Sequence, residues 1–181
     1  RLKCVPTFQN PSGITYSLER RKAIVAIAQK HGLPIIEDDA YFDLRYEGEA
    51  IPTMYSLDDQ GLVMYCGTFS KTIAAGMRLG WCVAAPAVTA RLTGLKRDSG
   101  SNAFTSHIAA QFCSTGNLQE HISELRPIYR HRRDVMLAAL EEHMPHGTSW
   151  THPEGGFFIW VTLPEGATCG PLAEAANARG V

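Results

Sequence analysis

Three observations predict an α/β fold built on a mainly parallel sheet. Residues 2–8, 18–31 and 34–39 read in turn as strand, helix and strand, the βαβ succession that pairs its strands in parallel with a right-handed crossover. Two more short apolar runs, at residues 62–66 and 80–85, lie close together around one polar turn, so one strand of the sheet is expected to run antiparallel. From Pro86 onward the apolar spacing is helical, and it returns to strands only near the end.

The first strand ends at Pro6 and is followed by Gln9-Asn10-Pro11-Ser12-Gly13, a dense turn signal. Ser17 is suited to cap the next helix, Ala23, Ile24, Ile27 and Ala28 mark its apolar face, and Gly32 stops it. The second strand is apolar through Ile35 and Ile36, then abruptly acidic at Glu37-Asp38-Asp39. A long loop over residues 41–59 leads to the third strand, which feeds Gly67-Thr68-Phe69-Ser70-Lys71-Thr72; Pro86 closes the fourth. Helices are predicted over 88–96 and 103–114, with a polar loop over 98–102 between them, and over 118–143. That last helix carries Leu118, Ile122, Leu125, Tyr129, Met136 and Leu140 at helical spacing, with Pro127 expected to kink it and remove one donor. Strands follow at 148–152 and 156–163, where Phe157-Phe158-Ile159-Trp160-Val161 is aromatic and β-branched, and a final helix starts near Pro171.

Composition removes several function classes. A formal net charge of -1 gives no reason to expect a nucleic acid or an anionic membrane as partner. No apolar run approaches the roughly 18 residues of a membrane span. The five cysteines are scattered without a CxxC spacing and read as reduced thiols of a cytoplasmic protein. The seven histidines read as surface residues, and no cysteine or carboxylate cluster completes a metal site, so no metal is expected. The chain has no initiator methionine and enters its first strand without preamble, so it is expected to be part of a longer polypeptide.

The chemistry concentrates where strands end. A hydroxyl-rich turn after a buried strand, holding Lys71 and followed by Arg78, suits a ligand with one electrophilic carbon and one phosphate. Pyridoxal phosphate is such a ligand, since its aldehyde takes a lysine as a Schiff base and its phosphate needs donors and positive charge. In a parallel sheet the loops at the carboxyl ends of strands converge on one crevice, which brings Asn10, Asp38, Tyr41 and Lys71 together. Asp38 would keep the ring nitrogen protonated, Tyr41 and Asn10 would donate to the phenolic oxygen, and Arg78, Thr68 and Ser70 would hold the phosphate. Taken singly, each motif is commonplace: a β-turn, a solvated strand end, a packing tyrosine, a surface ion pair. Asp39 is read as a solvated strand end without a role, and Gly155-Gly156 as a turn with possible hinge use.

Asn10-Pro11-Ser12-Gly13, Asp38-Asp39-Ala40-Tyr41, Thr68-Phe69-Ser70-Lys71 and Arg78-Leu79-Gly80 resemble, in order and spacing, the motifs of fold-type I, class I/II aminotransferases. With Phe8-Gln9 before the first string, Glu37 before the second and Gly155-Gly156-Phe157-Phe158-Ile159-Trp160 downstream, the chain is most similar to the 2-aminoadipate/kynurenine aminotransferase group. That branch includes the aminotransferase-like domains of MocR-type regulators. The resemblance implies the pyridoxal-phosphate-dependent, aspartate-aminotransferase-like transferase fold, with a mainly parallel sheet, flanking helices and part of a small α+β domain. It implies that residues 1–117 are the second half of the cofactor-binding large domain and residues 118–181 a linking helix and partial small domain.

For individual residues it implies Lys71 as the Schiff-base lysine and the base at the substrate Cα, with Asp38 on the pyridinium. Tyr41 and Asn10 fall on the phenolic oxygen, Asn10 also on the substrate carboxylate, and Thr68, Ser70 and Arg78 on the phosphate. Many relatives have serine at the Thr68 position, a change that keeps the hydroxyl. Amino acid and 2-oxo acid substrates and a homodimer are implied as partners. The family's upstream phosphate-binding loop and its downstream carboxylate-binding arginine have no counterpart within these residues, so the isolated chain is expected not to transaminate. The alternatives implied are a regulator's effector domain, marked by a helix-turn-helix module upstream, or another fold-type I enzyme.

Overall fold

The computed structural model describes residues 1–97 and 100–180. Four strands form one sheet in the order β1 (Leu2–Cys4), β2 (Ile35–Asp38), β3 (Val63–Thr68) and β4 (Gly80–Val83). The first three pair in parallel and β4 lies antiparallel to β3, so the strand after the lysine turn is the reversed one. Lys3 stands opposite Ile36, Asp38 opposite Cys66, and Cys66 opposite Cys82. β1 stops well short of residue 8, where Phe8 adopts a φ of 49° that no strand accommodates. β3 runs two residues further than its apolar stretch because Gly67 and Thr68 still pair with Trp81 and Gly80.

Helix α1 (Leu18–His31) begins where Ser17 accepts a hydrogen bond from the Arg20 N–H and ends at Gly32, whose φ of 59° is the left-handed cap. Its inward face differs from the expected one. Arg21, Val25 and Ala28 are buried, Ile24 packs beside them, and Ala23 and Ile27 face outward, Ile27 being 58% exposed. The core stripe includes an arginine because its guanidinium finds polar partners under the sheet: the carbonyls of Tyr16, Pro52 and Pro6 at 3.1, 3.2 and 3.1 Å and Thr7 Oγ1 at 3.0 Å. Around it Cys4, Val25, Ala28, Ile35, Met54 and Val63 form the apolar core between helix and sheet. The loop over 41–59 contains a short helix, α2 (Met54–Leu57), whose first N–H groups donate to Glu37.

Beyond β4 come α3 (Pro86–Leu95), α4 (Ala103–Ser114) and α5 (Asn117–His143); Asp98 and Ser99 of the intervening polar loop lie outside the described residues. α5 runs through Pro127 as one helix. Of its apolar stripe only Ile122 is buried, while Arg126 donates to the Asp43 carbonyl at 2.9 Å and Arg133 grips Glu47 at 2.7 and 3.1 Å. A small antiparallel pair, β5 (Ser149–Trp150) and β6 (Val161–Thr162), precedes α6 (Cys169–Asn177). The strand expected over 156–163 is thus confined to two residues. Its aromatic half is held elsewhere: the Gly156 N–H donates to the Leu44 carbonyl at 2.9 Å and Gly155 bridges Arg45. Among the described residues no helix is long and apolar enough to cross a membrane.

The burial of Arg21 and the exposure of Ile27 give opposite expectations for two positions of one helix. Arg21→Met strands two buried carboxylates and should destabilise by about 3–5 kcal/mol, whereas Ile27→Ala in this chain should change stability by under about 0.5 kcal/mol. Denaturant unfolding of both variants measures the contrast.

Candidate active site

The loops that leave the carboxyl ends of β1, β2 and β3 meet at one edge of the sheet. After β1 the chain turns through Phe8 to Asn10, pinned by Gln9 N–H to the Ile14 carbonyl at 3.0 Å and Phe8 N–H to Thr15 Oγ1 at 3.2 Å. Gly13, at φ +71°, closes this turn where any Cβ would collide with the Phe158 carbonyl. Asn10 itself is exposed at the tip.

After β2, strand alternation divides the acidic run. Glu37 and Asp39 turn into the core, at 0% and 3% exposure, while Asp38 points to the other face. There one oxygen of Asp38 accepts a 3.0 Å ion pair from Lys3 Nζ. Tyr41, buried, sits on the turn that follows. Burial pushes its phenol upward from the ordinary tyrosine value; a hydrogen bond with Asn10 pulls against this and the charge of Asp38 reinforces it. Three of the predicted residues, Asn10, Asp38 and Tyr41, are therefore in mutual contact or electrostatic reach.

After β3 the hydroxyls of Thr68 and Ser70 stand 3.0 Å apart, and Thr68 Oγ1 also lies 3.1 Å from the Leu79 carbonyl. Ile73 N–H to the Phe69 carbonyl at 2.8 Å closes the turn that carries Lys71. Lys71 Nζ lies 5.9 Å from the centroid of the Tyr41 ring and makes no ion pair among the described residues. Arg78 is exposed, adopts a left-handed φ of 52°, and uses one donor on the Ala75 carbonyl at 3.3 Å. It is adjacent to Leu79, whose carbonyl the Thr68 hydroxyl and Phe69 N–H both reach.

Two groups of residues were not assigned from the sequence. Phe157 and Phe158 meet the Tyr41 ring edge-on at 5.7 and 5.6 Å, and Tyr129 of α5 meets Phe157 at 4.7 Å. The signal that announced them was the preceding Gly155-Gly156: a Cβ on either glycine would strike Phe8, so this is a close approach of two backbones and not a plain turn. The second is Asp39, read from sequence as a solvated strand end but buried. Neither of its oxygens makes a hydrogen bond of normal geometry, although the Thr7 and Tyr65 hydroxyls lie beside it. Burial pushes its carboxyl up to about 7, with Thr7 and Arg21 lowering it and Glu37 and Asp43 raising it.

This donor set fits pyridoxal phosphate. Two adjacent hydroxyls and a guanidinium with spare donors suit a phosphate, an amine free of ion pairs suits an aldehyde, and a carboxylate at the strand end suits a ring nitrogen.

The chain matches the family of aminotransferases class I and II over residues 4–177 and belongs to it. It is 44% identical over 179 residues to aromatic-amino-acid aminotransferase 1 of Thermococcus litoralis, covering 98% of this chain and 43% of that protein. The kynurenine aminotransferase of Pyrococcus horikoshii, solved in complex with PMP, superposes with a TM-score of 0.95 at 43% identity, covering all of this chain and 46% of that one. An uncharacterized HTH-type transcriptional regulator of Bacillus subtilis, YisV, is 39% identical over 164 residues, covering 90% of this chain and 34% of the regulator. The chain thus spans less than half the length of the curated relatives it matches. Its fold is that of the pyridoxal-phosphate-dependent aminotransferases.

The buried Asp39 has a pH consequence. Its folded value near 7 lies above its unfolded value of 3.8, so the folded state binds the extra proton between these limits and stability falls as pH rises through that window. The contribution should reach at most about 1.4 kcal/mol per pH unit. Asp39→Asn should flatten the stability profile from about pH 4 to 7, read by urea midpoints across the range; an unchanged slope would assign it to other groups.

Proposed function

We propose that this chain takes part in moving an amino group between an amino acid and a 2-oxo acid, with pyridoxal 5′-phosphate as cofactor. One juxtaposition carries the reading: Lys71 Nζ 5.9 Å from the Tyr41 ring, beside the Thr68–Ser70 hydroxyl pair, with the Asn10 side chain close enough to Tyr41 to act on its phenol. When bound, the cofactor supplies an electron sink for the bond broken at the substrate Cα. Lys71 would hold the cofactor and carry the proton to and from the substrate Cα. Asp38 would face the ring nitrogen, and Tyr41 and Asn10 would donate to the phenolic oxygen, Asn10 reaching the substrate carboxylate as well. Thr68, Ser70 and Arg78 would hold the phosphate, each through charge-assisted hydrogen bonds. Phe157 and Phe158, packed on Tyr41, would exclude water from that side.

The same reading takes residues 1–117 as part of a large cofactor domain and residues 118–181 as linking helix and small-domain segment. The separate four-stranded and two-stranded sheets support that division. A cytoplasmic homodimer belongs to the reading on the strength of the family resemblance, and sedimentation of the full-length gene product checks the assembly. The resemblance to HTH-type regulators supports a second reading, an effector domain that binds the cofactor without steady turnover.

The decisive experiment adds pyridoxal phosphate to the full-length gene product and follows its visible band. A panel of aromatic amino acids, kynurenine and 2-aminoadipate, each with a 2-oxo acid, then tests turnover. Lys71→Ala should abolish the band and lower turnover by about 10²–10⁴-fold or more. A band without turnover for any donor favours the regulator, and no band in the unaltered protein refutes both readings.

A further inference from the structure

Lys3 is an anomaly in this sheet. Strands of parallel sheets are apolar on both faces, and the neighbours of Lys3 on its own face are Ile36 across the register and Met64 beyond. The Lys3 side chain is 64% exposed, so burial alone does not demand a partner. Lys3 finds one two residues along the adjacent strand, where β2 ends: Nζ contacts Asp38 Oδ2 at 3.0 Å. The stem of a lysine is long enough to reach one pleat repeat along the sheet, and the contact raises the Lys3 ammonium above its ordinary value through that hydrogen bond and the attraction of Asp38. The second oxygen of Asp38, Oδ1, makes no hydrogen bond among the described residues.

We propose that Lys3 is a positioning residue for Asp38: it holds one carboxylate oxygen and leaves the other for the ring nitrogen of the cofactor. This rests on the reading above that Asp38 faces that nitrogen. Among the described residues the groups that act on Asp38 include Lys3 on β1, in direct contact, Cys66 on β3 with Cys82 opposite it on β4, and the Tyr41 phenol. An exposed lysine–carboxylate pair contributes little to stability as a rule, so its signature belongs in the ring and not in the melt.

The test uses the full-length gene product reconstituted with pyridoxal phosphate labelled with ¹⁵N in the ring, whose chemical shift reports protonation of that nitrogen. Lys3→Met, Lys3→Arg and Asp38→Asn are compared with the unaltered protein across pH, together with cofactor affinity by absorbance titration. Lys3→Met should displace the ring-nitrogen resonance at a given pH and weaken cofactor binding about tenfold, Lys3→Arg should restore most of both, and Asp38→Asn should exceed Lys3→Met. If Lys3→Met leaves the nitrogen shift and affinity unchanged while Asp38→Asn alters them, Lys3 is a surface ion pair and the role of Asp38 survives. If neither variant alters them, the assignment of Asp38 fails and this proposal with it.

Discussion

The Arg21 guanidinium is the contact on which the site edge depends. Fully buried, it reaches the carbonyls of Pro6 and Tyr16, the Thr7 hydroxyl and the Pro52 carbonyl, and stands 4.0 Å from Glu37. Those partners belong to the exit of β1, the approach to α1 and the loop that leads to α2. One cation thereby fixes the relative positions of three segments that the chain would otherwise have to order separately. Glu37 completes the arrangement by accepting both leading N–H groups of α2 at 2.8 Å. Burial lowers Arg21 and raises Glu37, while the attraction between them and these hydrogen bonds act against both shifts.

Alternation along β2 explains why this polar core serves the opposite face. Glu37 and Asp39 point to the Arg21 side and Asp38 away from it, so the same three residues anchor the strand and present an acid at its edge. Inserting or deleting one residue here would exchange the roles. The buried pair would then face the open edge and Asp38 would be driven among Val25, Ile35 and Met54.

Local signals carried much of this. The limits of α1 coincide with Ser17 and Gly32, and the reversed β4 follows from the short span between two strands. The nearness of Tyr41 and Lys71 was legible because each lies on the turn that leaves a parallel strand, where topology brings loops together. What could not be read depends on distant partners. Asp39 looks solvated until Arg21, eighteen residues earlier, is known to be inside the core. The aromatic run from Phe157 reads as strand by composition, but Gly155 and Gly156 are claimed by Leu44 and Arg45 from a loop more than a hundred residues away. The sequence shows α5 only by its apolar spacing, whereas Arg126, Arg130 and Arg133 make its polar contacts to residues 43–47. Periodicity registers apolar side chains and is blind to arginines that bind carbonyls and carboxylates.

The backbone adds a last step. Among the described residues two other than glycine have positive φ, Phe8 at 49° and Arg78 at 52°, and they flank the candidate site from β1 and from the turn before β4. A bulky residue in this region costs on the order of 1–3 kcal/mol and persists only where its surroundings leave no alternative. Phe8 is trapped by full burial against Gly155 and Gly156, with the Arg45 guanidinium 4.8 Å from its ring. Arg78 is held because Thr68 and Phe69 both reach the carbonyl of its neighbour Leu79. The two strained residues therefore stand at the joints on either side of the candidate site, two residues before Asn10 and seven after Lys71, and the packing that enforces them also holds those turns.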